Sequence, residues 1–71
     1  MTSKYTPLWD HIKKLDQEDF FLSFDHIKQI LGFEIDHSFL NYKKELLDYG
    51  YSVNKISLKN KTIKFSKNEN N

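Results

Sequence analysis

Two glycines punctuate the 71-residue chain, and their positions constrain its architecture more than any other feature. Gly32 follows a run in which Phe24, Ile27, Ile30 and Leu31 share one helical stripe, and Gly50 follows a second helical run that opens near Asp36. Glycine enters the left-handed conformation that closes a helix without a Cβ penalty, so both are read as helix stops. Only Gly32 to Asp36 separate the two runs, and helices joined by so tight a glycine-containing turn form a helix-turn-helix arrangement. Ser23 is expected to cap the earlier helix, and Asp36 or Ser38 the later one, which runs to about Tyr49. Phe33 is placed for the apolar contact that accompanies a left-handed glycine cap.

The remaining elements follow from shorter signals. Thr6-Pro7 is a helix start, with Thr as N-cap and Pro at the first helical position, and Leu8, Ile12 and Leu15 continue it at i, i+4 and i+7. Asp16-Gln17-Glu18-Asp19 reads as a solvated loop, and Phe20-Phe21-Leu22 as a short strand. After Gly50 the chain alternates as a hairpin around a two-residue turn at Asn60-Lys61. That turn sets Leu58 opposite Ile63 and Ile56 opposite Phe65, and the other parity of Tyr51 and Val53 calls for a bulge near Asn54-Lys55. The expectation is one α+β domain over residues 1–66, with three helices, a short strand and a C-terminal β-hairpin, followed by a polar, frayed tail over 67–71.

Composition narrows the function classes. The chain has no cysteine, so a disulfide framework and a thiolate metal site are excluded. Its 38% hydrophobic content suffices for a small core. No apolar run reaches the roughly 18 residues of a membrane span, so a cytoplasmic chain without membrane contact is expected. The net charge of +1 hides a polarity. Residues 1–42 hold four Lys against seven acids, whereas residues 43–71 hold seven Lys against three. A polyanion-binding face explains this, as does attraction between the two halves or to a second copy; so does a general drift toward Lys, Asn and Ile with no ligand at all.

The segment FDHIKQILGFEIDHSFLNYKKELLDYGY, Phe24–Tyr51, resembles the core of winged helix-turn-helix domains, with an IxxIxG second helix, a short turn and a helix ending LLxYGY before the wing. The patterns KYxPL, FxxIxxILGF and YGYxV also resemble a family of small uncharacterised bacterial and phage domains, which implies no function. The winged-helix resemblance implies a non-enzymatic module whose third helix enters the major groove of double-stranded DNA while the hairpin touches the backbone. Carried onto this chain, the groove-facing residues are His37, Ser38, Asn41 and Lys44, and the wing tip is Lys59, Asn60 and Lys61. A helical wheel buries Phe39, Leu40, Leu46 and Leu47 and exposes Glu45 and Asp48 beside those candidates. Lys43 falls inside the apolar arc, so either its stem snorkels or the helix rotates to bury Tyr42. All eleven basic residues are Lys, which removes the bidentate arginine contact to guanine.

The alternative reading is a protein-interaction module of the same fold, meeting a partner or a second copy as a homodimer through Trp9, Tyr42 and Tyr49. The two tyrosines lie seven apart and so share one flank of an α-helix. Catalysis finds no nucleophile elbow or phosphate-cradling loop. His11, His26 and His37 lie on three different helices, each directly after an Asp, and neighbours at i, i+1 do not converge on a metal, so no metal or cofactor is expected.

Overall fold

The computed structural model describes residues 3–68, which form three α-helices and a three-stranded antiparallel sheet. In chain order these are α1 (Thr6–Leu15), β1 (Asp19–Ser23), α2 (Phe24–Leu31), α3 (Ser38–Tyr42), a 3-10 segment (Lys43–Tyr49), β2 (Tyr51–Ser57) and β3 (Thr62–Lys67). No helix among the described residues is long and apolar enough to cross a membrane.

Local chemistry explains most boundaries. The Ser23 hydroxyl accepts the amide of His26 at 3.0 Å and starts α2, while Gly32 (φ 84°) and Gly50 (φ 86°) close their helices in the left-handed region. The start of α1 differs from expectation, because Thr6 is already helical and does not cap. Its hydroxyl accepts the Ser3 amide at 2.9 Å instead, and Tyr5 occupies the capping position. The third helix also starts differently, since His37 and not Asp36 or Ser38 takes the capping position. Asp36, one residue earlier, anchors it by accepting both the amide (2.8 Å) and the hydroxyl (2.5 Å) of Ser38.

The expected helix to Tyr49 is not a uniform α-helix. It tightens at Lys43 to three residues per turn, so Lys43, Leu46 and Tyr49 stack on one face. Leu46 is thereby buried, Lys43 and Tyr49 are half-buried, and Leu47 turns outward. The buried arc inferred from α periodicity is correct for Phe39 and Leu46 and wrong for Leu40 and Leu47, each 53% exposed.

The sheet order is β1-β3-β2, with β3 in the middle. Its inner face carries Phe20, Leu22, Tyr51, Ile63 and Phe65, which meet Leu8, Trp9, Ile12, Ile27, Phe39 and Leu46 from the helical layer. The bulge lies between Val53 and Lys55 as expected. The hairpin register is displaced by two residues: Ile56 faces Ile63 and Ser57 faces Thr62, leaving a four-residue loop, Leu58–Lys61. A two-residue shift keeps every side chain on its original face, so hydrophobic alternation fits both registers. Lys61 takes the left-handed conformation (φ 55°). The Ser57 hydroxyl accepts the Asn60 amide at 3.2 Å and stabilises the longer loop.

Lys67 and Asn68, expected in the frayed tail, are tied into the fold. The Lys67 amide donates to the Glu18 carbonyl at 2.6 Å and its ammonium reaches Asp16 at 2.7 Å, and Asn68 donates to the Gly50 carbonyl at 2.8 Å. The acidic loop is thus partly engaged. Residues 69–71 of the expected tail lie outside the described region.

Candidate nucleic-acid interface

Tyr5 is the side chain that fixes the third helix. Its ring lies 5.6 Å from Phe39, 5.6 Å from Tyr42, 5.8 Å from Trp9 and 5.8 Å from Phe33, and its hydroxyl is 2.8 Å from the Ser38 hydroxyl. Beside it, the Glu45 carboxylate accepts the Trp9 indole N–H at 3.0 Å and the Ser3 hydroxyl at 2.6 Å. These two hydrogen bonds hold the Glu45 carboxyl below its ordinary value. The Asp36 carboxyl is likewise held low, first by its bonds from Ser38 and then by Lys4, 3.7 Å away.

This anchoring changes the candidate list. His37, Asn41 and Lys44 are exposed, as a groove-facing set requires. Ser38 is half-buried with its hydroxyl committed to Asp36 and Tyr5, so it is not available to a ligand. Glu45, expected on the exposed arc, turns toward α1, which removes one of the two carboxylates from that surface; Asp48 remains exposed. The Trp9, Tyr42 and Tyr49 seam does not form: Trp9 is fully buried and Tyr49 packs against the core. Only Tyr42 keeps substantial exposure, and even it leans on Tyr5. The shared-flank argument fails because seven residues of 3-10 winding end about 120° apart, not on one line.

The hairpin gathers the positive charge. From Tyr51 to Lys67 it has five lysines and no acid. Of these only Lys67 is in an ion pair among the described residues, leaving Lys55, Lys59, Lys61 and Lys64. The loop holding Lys59, Asn60 and Lys61 is docked onto α2, since the Phe24 amide donates to the Lys61 carbonyl at 2.8 Å. That bond satisfies one of the donors left open at a helix start and fixes the loop to the start of α2.

Two depressions flank the loop. One, of about 580 Å³, runs between the start of α3 and the hairpin and is chiefly apolar, with Phe24, Ile35, His37, Leu40, Ile56 and Leu58 in its walls. It unites His37 with the loop; Asn41 and Lys44 are not among its lining residues. The other, about 360 Å³, lies on the outer face of the sheet. Its residues Phe21, Lys55 and Lys64 were not singled out as a set by the sequence reading. The signal available was strand alternation, which in β1 buries Phe20 and Leu22 and turns Phe21 outward.

Histidines give little metal chemistry. His11 and His26 meet edge to face at 5.5 Å, and among the described residues no group of three or more metal-binding side chains converges. Burial, then the charges of His26 and Lys14, lowers the His11 pKa.

No family model matches the chain, and neither a curated protein nor a solved structure matches it.

Proposed function

We propose that this is a non-enzymatic, winged-helix-like module that binds double-stranded DNA. The observation that carries the reading is the acid-free hairpin, whose loop residue Leu58 shares a furrow with the exposed His37 and Leu40 at the start of α3. Lys59 and Lys61 neutralise phosphates on one side of that junction and Lys44 on the other. Asn41 offers its amide to adenine, and the exposed Leu40 beside it suits the thymine methyl group. With no arginine to pair with guanine, the module favours A·T-rich duplex.

Three phosphate contacts imply that log K falls with log salt at a slope of about −3. The test is a titration of A·T-rich duplex at low salt, followed by amide shifts. Signals of His37–Lys44 and Lys59–Lys61 move, and Lys59→Glu with Lys61→Glu abolishes the movement. Unmoved signals in the wild-type protein sink the proposal.

A second reading has its own observation. The apolar furrow exposes Leu58 at 76% and Leu40 at 53%, which suits an apolar side chain of a protein partner or a second copy. Light scattering across concentration tests the second copy, because Leu58→Ser reduces any self-association made through this furrow.

A further inference from the structure

The outer face of the sheet has a composition unlike the rest of the surface. The register aligns Phe21 of β1, Lys64 of β3 and Lys55 of β2 in a single row. Adjacent strands lie about 4.8 Å apart, so the backbone of the row spans about 10 Å from Phe21 to Lys55. Phe21 is 64% exposed, and the Lys64 ammonium sits 5.8 Å from its ring centroid. Asn54, Ser57, Asn60 and Thr62 complete the lining of the shallow depression, which contains no carboxylate. Asp19, one row away on the same face, is the nearest acid in the register.

An exposed aromatic ring on a sheet, flanked by ammonium, amide and hydroxyl groups, matches the chemistry of an unpaired nucleotide. The ring stacks on the base, the lysines meet the phosphates, and the amides and hydroxyls reach base edges and sugar. A duplex hides its base faces and cannot use the ring. We infer that this sheet face binds single-stranded DNA, with Phe21 stacking on a base and Lys55 and Lys64 holding the adjoining phosphates. The site is separate from the duplex surface of α3. The β2–β3 loop borders both depressions, through Leu58 on one side and Asn60 on the other, so the inference shares with the duplex reading only the charge of Lys59 and Lys61.

The experiment compares a single-stranded oligothymidylate of about 12 nucleotides with an A·T-rich duplex, by fluorescence anisotropy at low salt, for wild type, Phe21→Ala, Phe21→Tyr, Lys55→Glu with Lys64→Glu, and Asn41→Ala. Phe21→Ala is expected to weaken single-strand binding about tenfold, and Phe21→Tyr to restore it. Both leave duplex affinity unchanged, whereas Asn41→Ala weakens only the duplex. In the wild-type protein, the single strand shifts the amides of Phe21, Thr62 and Lys64, a readout independent of whether any variant folds. Absence of single-strand binding, equal affinity of wild type and Phe21→Ala, or shifts confined to α3 and the loop overturns the inference. Binding of the mononucleotide as tightly as the oligomer also overturns it, by showing a pocket for a free ligand and not a strand. Loss of duplex binding with single-strand binding intact defeats the duplex reading alone.

Discussion

The corner formed by Tyr5, Trp9 and Glu45 and the end formed by the hairpin loop are built on opposite terms. At the corner, large rings are fully buried, the indole N–H and the carboxylate satisfy each other, and each group has several partners. At the loop, Leu58 is 76% exposed and the lysines have no counter-charge among the described residues. Interior groups are retained because removing one strands its neighbours. Exposed apolar groups and uncompensated charge contribute nothing comparable to stability. The fold's stability is thus concentrated at the corner, while the loop holds exposed apolar surface and uncompensated positive charge.

The sharpest way to break this division is Trp9→Ala. It opens a cavity and strips Glu45 of its indole donor, at a cost of about 3–5 kcal/mol, comparable to the whole stability of so small a domain. Urea titration followed by circular dichroism should show the variant largely unfolded without denaturant. Glu45→Ala should cost about 1–3 kcal/mol, since the Trp9 N–H is then buried without an acceptor, and the same titration measures it. The depressed Glu45 carboxyl adds a pH signature. The unfolded chain binds its proton at higher pH than the folded one, so this contribution is complete above the ordinary value of 4.5 and is lost as pH falls below it. Glu45→Gln removes that part of the acid-induced loss.

A smaller effect, about 1 kcal/mol, is expected for Ser23→Ala, which removes the cap of α2. His11 gives a gentler slope. Its folded pKa lies below 6.5, so the unfolded state takes up the proton first and stability declines as pH falls below about 6.5. Melting temperatures at pH 7.5 and 5.5, compared with those of His11→Gln, isolate it. Leu58→Ser should be the least consequential, within about 0.5 kcal/mol of wild type. A large loss there would erase the distinction between the two ends.

Element order was legible because its signals are local: Ser23, Asp36, Gly32 and Gly50 each act within one turn of chain. The hairpin register was not, because a slip of two residues preserves the alternation from which it was inferred. Lys43 did mark an irregularity, but the sequence offered only a snorkelling stem or a rotated α-helix, and the chain instead tightened to 3-10 winding. Glu45 shows the limit for the candidate site. Its inward turn depends on Trp9 and Ser3, 36 and 42 residues away, and no local pattern encodes that encounter. His37, Asn41, Lys44 and the loop lysines were correctly expected on the surface, since exposed polar residues need no distant partner to stay there.

The placement of β3 between β1 and β2 has a bearing on how the molecule assembles. Of the three strands it is the last to be synthesised, yet it supplies the partner of both others. Until Thr62–Lys67 emerges from the ribosome, β1 has an unsatisfied backbone edge and Phe20 and Leu22 lack their cross-strand neighbours Phe65 and Ile63. Closing that ladder joins segments about 40 residues apart, so the final strand acts as a latch, and consolidation of the sheet waits on a late, long-range step. A nascent chain stopped at the loop would carry every helix and still have no sheet.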